Sequence, residues 1–237
     1  MPTVTHVAEA APLGAVELPG AMNYHLDIDG NLSSGASAAG TAMAAILKMA
    51  EGINVARKTA DATMTRAAYL ARIEKAVTAF DRDASAKLNH ARGAVKASLK
   101  DAEAKLANTV GIAPTANAAE IRSILRAMPA DQRQAELARA FNDGNKEIVG
   151  AVVGFDPLMH GCNPESVAAL YDEYQRRVAP AEYASVEAHR KYARYVENAG
   201  PSLMAFTTRA LAGTGGYEKA RQTTEAVLKS YGIGFDD

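Results

Sequence analysis

The 237-residue chain is predicted to be all-α: an extended N-terminal arm, a long helix built on an eleven-residue repeat, then a compact bundle of short helices. Three observations lead there. An apolar stripe runs through Val77, Phe80, Ala84, Leu88, Ala91, Val95, Leu99, Ala102, Leu106 and Val110 at spacings of 3, 4 and 4, repeated without error. Hydrophobic residues make up 48% of the chain but aromatics only 6%, and much of the remainder is Ala, which favours slim, closely packed helices. No segment sustains the period-two alternation of a half-buried strand.

Residues 1–40 hold Pro2, Pro12 and Pro19 with five glycines, and their apolar residues fall at irregular intervals. An extended arm is expected there, with Leu18, Tyr24 and Leu26 among the side chains available to lie across a neighbouring subunit. Residues 41–110 read as helical throughout. Met43, Ile46, Leu47, Met49 and Ile53 open the region, Tyr69, Leu70 and Ile73 continue it, and the regular stripe follows. An eleven-residue period is about 3.67 residues per turn, so the stripe stays on one face of a nearly straight helix. Seventy continuous residues would extend about 105 Å, too far for the rest of the chain to cover. Either the region folds back as a hairpin near Gly52 to Asp61, or it packs on other copies, and the second is the expectation.

Residues 111–237 are read as a compact helical domain because their punctuation is dense. Asn117 and Glu120 have the form of a capping box, and Pro129 stops the helix they open. Asp131 begins another that ends at Asn142-Asp143-Gly144, and a short apolar helix covers Asn145 to Val153. Asn163-Pro164-Glu165 supplies an N-cap, a proline at the first helical position and an acid in the first turn. That helix ends at Pro180. A further one runs from Ala181 to Asn198 and stops at Gly200-Pro201. Ser202 to Leu211 and Tyr217 to Ser230 complete the series, separated by a Gly-rich linker at Gly213 to Gly216.

A net charge of −1 gives no overall attraction to nucleic acid or membrane. Residues 1–40 carry acids but no Lys or Arg, whereas 41–105 carry twelve bases against seven acids. The single Cys162 excludes an internal disulfide and a multi-cysteine metal site, and suits a reducing cytoplasm. No basic segment followed by an apolar run opens the chain, so no export signal is expected. No apolar run reaches the roughly 18 to 20 residues of a membrane span.

Chemistry-bearing motifs are few. Asp27-Ile-Asp29-Gly30-Asn31 fails the EF-hand pattern, because Gly30 comes at position 4 and Ala38 occupies position 12. Gly213 to Gly216 lacks both the preceding strand and the Lys-Ser/Thr of a phosphate loop. No two of the five histidines share the i, i+4 spacing of a zincin. His160-Gly161-Cys162 places a base near a nucleophile, but such a pair acts only when the thiol points at an oriented imidazole. The tyrosines Tyr171, Tyr174, Tyr183, Tyr192 and Tyr195, with neighbouring arginines, suit helix-pair rims or stacking on single-stranded nucleic acid. A single ankyrin-like run, Asp143 to Val149, has no second unit.

The arm without Lys or Arg, the Ala-rich eleven-repeat helix and the compact segment from Glu120 to Gly200 together resemble the structural proteins of tailed-phage particles. That resemblance implies a connector, head-associated or tail-associated component, cytoplasmic during synthesis and then part of the virion, and it transfers no functional residue. The expected function is non-enzymatic assembly, with no cofactor or metal. Its partners would be further copies of the chain and other structural proteins. The expected contacts are Val77, Phe80, Leu88, Val95, Leu99, Leu106 and Val110 on the stripe, and Leu18, Tyr24 and Leu26 on the arm. A second reading has Lys87, Arg92, Lys96, Lys100 and Lys105 meet nucleic acid weakly, and a third is an enzyme with a site near His160 and Cys162.

Overall fold

The computed structural model describes residues 13–16, 34–59, 63–216, 223 and 227, and among them it contains helices and no strand. In chain order these are α1 (Ser34–Lys58), α2 (Arg66–Val110), α3 (Ala118–Ala127), α4 (Ala130–Asp143), α5 (Lys146–Val152), α6 (Pro157–His160), α7 (Pro164–Val178) and α8 (Pro180–Leu211). The chain divides into two compact units, Met1–Lys96 with Tyr192–Asp237, and Ala97–Lys191, so α2 and α8 each contribute to both. The helix read over Tyr217 to Ser230 lies outside the described residues save Thr223 and Val227, both helical.

A hairpin replaces the expected straight helix. Thr65 starts α2 by accepting the Ala68 backbone N–H at 3.2 Å on its hydroxyl, an N-cap interaction. The Tyr69 hydroxyl then donates to the Arg57 carbonyl at 2.6 Å, satisfying a backbone acceptor that the end of α1 leaves open. Helix formation also begins at Ser34, ahead of Gly40, because Ala39, Met43 and Ile46 are buried and their packing outweighs the roughly 1 kcal/mol that each early glycine costs.

The first unit is a three-helix bundle. α1 and α2 are antiparallel, and the C-terminal part of α8 runs beside them parallel to α1, with Phe206 edge-to-face on Phe80 at 5.3 Å and the Thr207 hydroxyl donating to Asp81 at 3.0 Å. Its core joins Met43, Ile46, Leu70, Ile73, Val77, Phe80, Leu88, Val95, Val196 and Leu203. Residues 13–16 are tied to α1: Val16 exchanges two hydrogen bonds with the Asn54 amide, at 2.9 and 2.8 Å. The buried Arg57 donates to the carbonyls of Gly14 and Ala210.

Gly200-Pro201 does not end a helix, contrary to its reading as a stop; α8 continues through it to Leu211. Pro201 removes one backbone donor and costs about 3 kcal/mol in a helix interior. Burial of Val196, Ala199, Leu203 and Phe206 on both sides of the proline outweighs that cost. Gly200 itself leaves room for Arg92, since a Cβ there would lie 2.6 Å from a guanidinium nitrogen.

The second unit packs α3 to α7, the last part of α2 and the first part of α8 around Leu106, Val110, Leu125, Leu137, Phe141, Val149 and Val186. Its starts and stops follow the local chemistry. Asn145 and Asn163 each cap a helix by accepting two backbone N–H groups, Pro164 sits in the first turn of α7, and α4 stops at Asp143 before Gly144. The Asn117 capping box is the exception: α3 begins after it, but its side chain makes no capping bond.

Candidate functional site

Within the second unit, α5, the turn after it, α6 and the first turns of α7 surround a cavity of about 330 Å³. Every bend in this stretch is locally specified. Asp156 caps α6 by accepting the Leu158 N–H at 2.8 Å with Pro157 in the first turn, and Gly161 ends it at φ +67°, a left-handed conformation natural to glycine. Asn163 then restarts the chain as α7. The walls include Val152, Phe155, Pro157, His160, Val167 and Tyr171, and none of the described lining residues is Lys, Arg, Asp or Glu.

Arg133 holds this turn from outside. Its guanidinium donates to the carbonyls of Leu125 and Met128, each at 2.7 Å, and to that of Gly161. One side chain thereby closes the C-terminal end of α3 and fixes the peptide that follows Gly161. Arg122 lies 4.0 Å from the centroid of the Phe155 ring and donates to the Ala151 carbonyl at 3.3 Å.

His160 is 1% exposed, and its Nδ1 accepts the Cys162 backbone N–H at 3.1 Å, which puts the proton of the neutral ring on Nε2. Burial lowers its pKa below the usual 6.5, and the charges of Arg122 and Arg133 push the same way, against a hydrogen bond with the Phe155 backbone and the charge of Asp156. The Cys162 Sγ donates to the His160 carbonyl at 3.6 Å, and burial raises the thiol pKa despite Arg133. An activated thiolate–imidazolium pair needs both shifts reversed and the sulfur directed at the ring. Here the backbone occupies both partners.

The tyrosine and arginine concentration is engaged within each unit. Tyr174 packs edge-on to Phe141 at 6.1 Å, and Arg177 donates to the Phe141 carbonyl at 2.5 Å. Tyr183 donates to Asp172 at 2.7 Å beneath Arg176. Tyr192 and Tyr195 pack against the core of the first unit.

The stripe residues fall on the core-facing side of α2. Val77, Phe80, Leu88 and Val95 lie in the first core, Leu106 and Val110 in the second, and Leu99 is half-buried against the second. Leu18, Tyr24 and Leu26 lie outside the described residues. The five basic positions share no single face: Lys105 stands five turns beyond Lys87, while Arg92, Lys96 and Lys100 fall roughly 140° to 220° round the helix from them. Arg92 is also drawn to Glu197, at 3.4 Å. In the first unit, small side chains such as Ala45 and Ala86, beside Thr41, Lys87 and His90, leave an open groove of about 720 Å³ between α1 and α2.

The sequence reading placed no helix between Val153 and Asn163, where α6 lies. Asp156-Pro157 has the same cap-then-proline form as Asn163-Pro164 and was sufficient to find it. On the outside of the cavity turn, Leu158 is 82% and Met159 49% exposed, and α3, packed against α6, carries Ile124 at 51%. Among the described residues no group of three His, Cys, Asp or Glu side chains is placed to hold a metal ion, and no helix is long and apolar enough to cross a membrane. Comparison of the chain with protein-family models, with curated proteins and with solved structures finds no match.

Proposed function

We propose that the chain is a non-enzymatic structural protein that assembles with further copies of itself and, through them, into a larger particle. The observation that carries this reading is the exposure of the adjacent Leu158 and Met159 on α6, with Ile124 also exposed on α3, the helix packed against it. The capped turn that carries Leu158 and Met159 has little backbone freedom left to lose on binding, and exposed apolar surface characterises the centre of protein contacts. A net charge of −1 leaves little repulsion between copies. The tailed-phage setting, as connector, head-associated or tail-associated component, rests on the resemblance in sequence design.

Sedimentation velocity of the full chain at micromolar concentration tests the reading, comparing the wild type with a Leu158→Asp, Met159→Asp double variant. The wild type is expected to sediment as an oligomer and the variant as a monomer of unchanged helicity, because the altered side chains face solvent within the chain. A monomeric wild type overturns self-assembly. An oligomer that survives both substitutions removes the α6 turn as its contact.

A further inference from the structure

We propose that the cavity bounded by α5, α6 and α7 is a binding site for a compact, uncharged aromatic molecule. Its volume of about 330 Å³ is at the lower end of the range of small-molecule sites. At about 30 Å³ per water-sized unit that is room for roughly eleven such units, the size of one or two fused rings. Phe155 and Tyr171 supply aromatic surface, and Val152, Pro157 and Val167 supply aliphatic surface. No described lining residue is charged, and Arg122 and Arg133 behind the walls donate to backbone carbonyls, so a carboxylate or ammonium entering the cavity would lose its water without gaining a hydrogen-bonded partner. His160 carries no charge to offer, because its Nδ1 is already occupied by the Cys162 N–H and its burial favours the neutral ring.

The walls are also formed in advance. Asn145, Asp156 and Asn163 cap the three helices, Gly161 fixes the turn, and Arg133 ties that turn to α3. Little ordering of the site is left to oppose a ligand, which lowers the cost of binding. The site is independent of self-assembly: Pro157 and His160 line the cavity, whereas Leu158 and Met159 face outward.

Indole is a suitable probe, because the chain has no Trp and indole emission in a titration comes from the probe alone. Saturable binding is expected, with a blue shift of the emission and a Kd below about 1 mM. Val167→Phe fills the cavity and should weaken binding by about tenfold or more. Tyr171→Leu, at a half-buried position, removes one aromatic wall and should weaken it several-fold, which keeps the test decisive if the first variant does not fold. Indole-3-carboxylate should bind at least about tenfold more weakly than indole. Absence of a saturable shift at millimolar indole, unchanged affinity in both folded variants, or equal affinity for the carboxylate overturns the proposal.

Discussion

Arg133→Ala should destabilise the second unit. The guanidinium makes two partly buried, charge-assisted bonds of 2.7 Å, to the Leu125 and Met128 carbonyls, and two exposed ones, to Arg126 and Gly161. Bonds to charged groups contribute about 1.5 to 3 kcal/mol each. Exposed ones contribute little, because water replaces them. The two partly buried bonds set an upper bound near 6 kcal/mol, and partial access of water reduces the expected loss to about 2 to 4 kcal/mol. Arg133→Lys keeps one positive charge but cannot reach several carbonyls in a planar fork, so about half of that loss should remain. Urea unfolding followed by circular dichroism gives the magnitude. Hydrogen exchange should locate it, with faster exchange at the end of α3 and through α6 and the first turn of α7. A loss under about 1 kcal/mol for the alanine variant would refute the assignment of Arg133 as the group that closes the end of α3, and unchanged exchange through α6 would refute its hold on the cavity turn.

The stripe offers a graded test: Leu88→Ala should cost about 2 to 5 kcal/mol, and Leu99→Ala distinctly less because Leu99 is only half-buried, so equal losses in thermal or urea unfolding would contradict the packing. Phe80 and Phe206 should show a coupling of about 0.5 to 1.5 kcal/mol in a double-mutant cycle, beyond the separate burial of each ring. For His160 the folded state holds the pKa below 6.5, so the unfolded chain takes up the proton first as pH falls. Its contribution is therefore fully present above about pH 6.5 and declines as pH drops toward the folded pKa. Subtracting the urea midpoints of His160→Asn from those of the wild type across that interval should isolate the decline, and a flat difference would contradict it. Cys162, buried with a raised pKa, should react slowly with iodoacetamide at neutral pH and rapidly in denaturant; fast labelling of the folded chain would show an activated thiol.

Much of the second unit was legible because its signals are local. Asn145, Asn163 and the prolines at 129, 164 and 180 act within one turn of the bond they control, and the helices begin and end where those residues require. Asn117 misleads for the complementary reason: it has the right type and spacing for a capping box, but its φ of −88° and ψ of 4° do not give the extended backbone that a capping side chain uses. Gly200-Pro201 fails as a stop because the neighbouring turns are buried against α1 and α2, information that no local window contains. The cavity was hidden in the same way. Val152, Pro157, Val167 and Tyr171 are unexceptional one by one, and only the chain path through two capped turns brings them to a common space.

The regular stripe illustrates why one face was readable and its partner was not. A 3, 4, 4 spacing nearly matches the natural turn of a helix, so over the 45 residues of α2 the same side stays apolar without the supercoil that a heptad repeat imposes. A supercoiled seam demands a similar helix as its mate. A straight face makes no such demand, and α2 accordingly meets α1 and the end of α8 in one core, and several short helices in the other. Periodicity reports the direction in which side chains point, while the hairpin depends on Thr65 starting a new helix and Tyr69 reaching back to the Arg57 carbonyl. Those two contacts turn the chain back on itself, so an apolar face that a straight helix would have presented to other copies is covered within the subunit. The proposed self-assembly must then use side chains outside that face, which is why the Leu158 and Met159 substitutions, and not truncations along the stripe, discriminate assembly from folding.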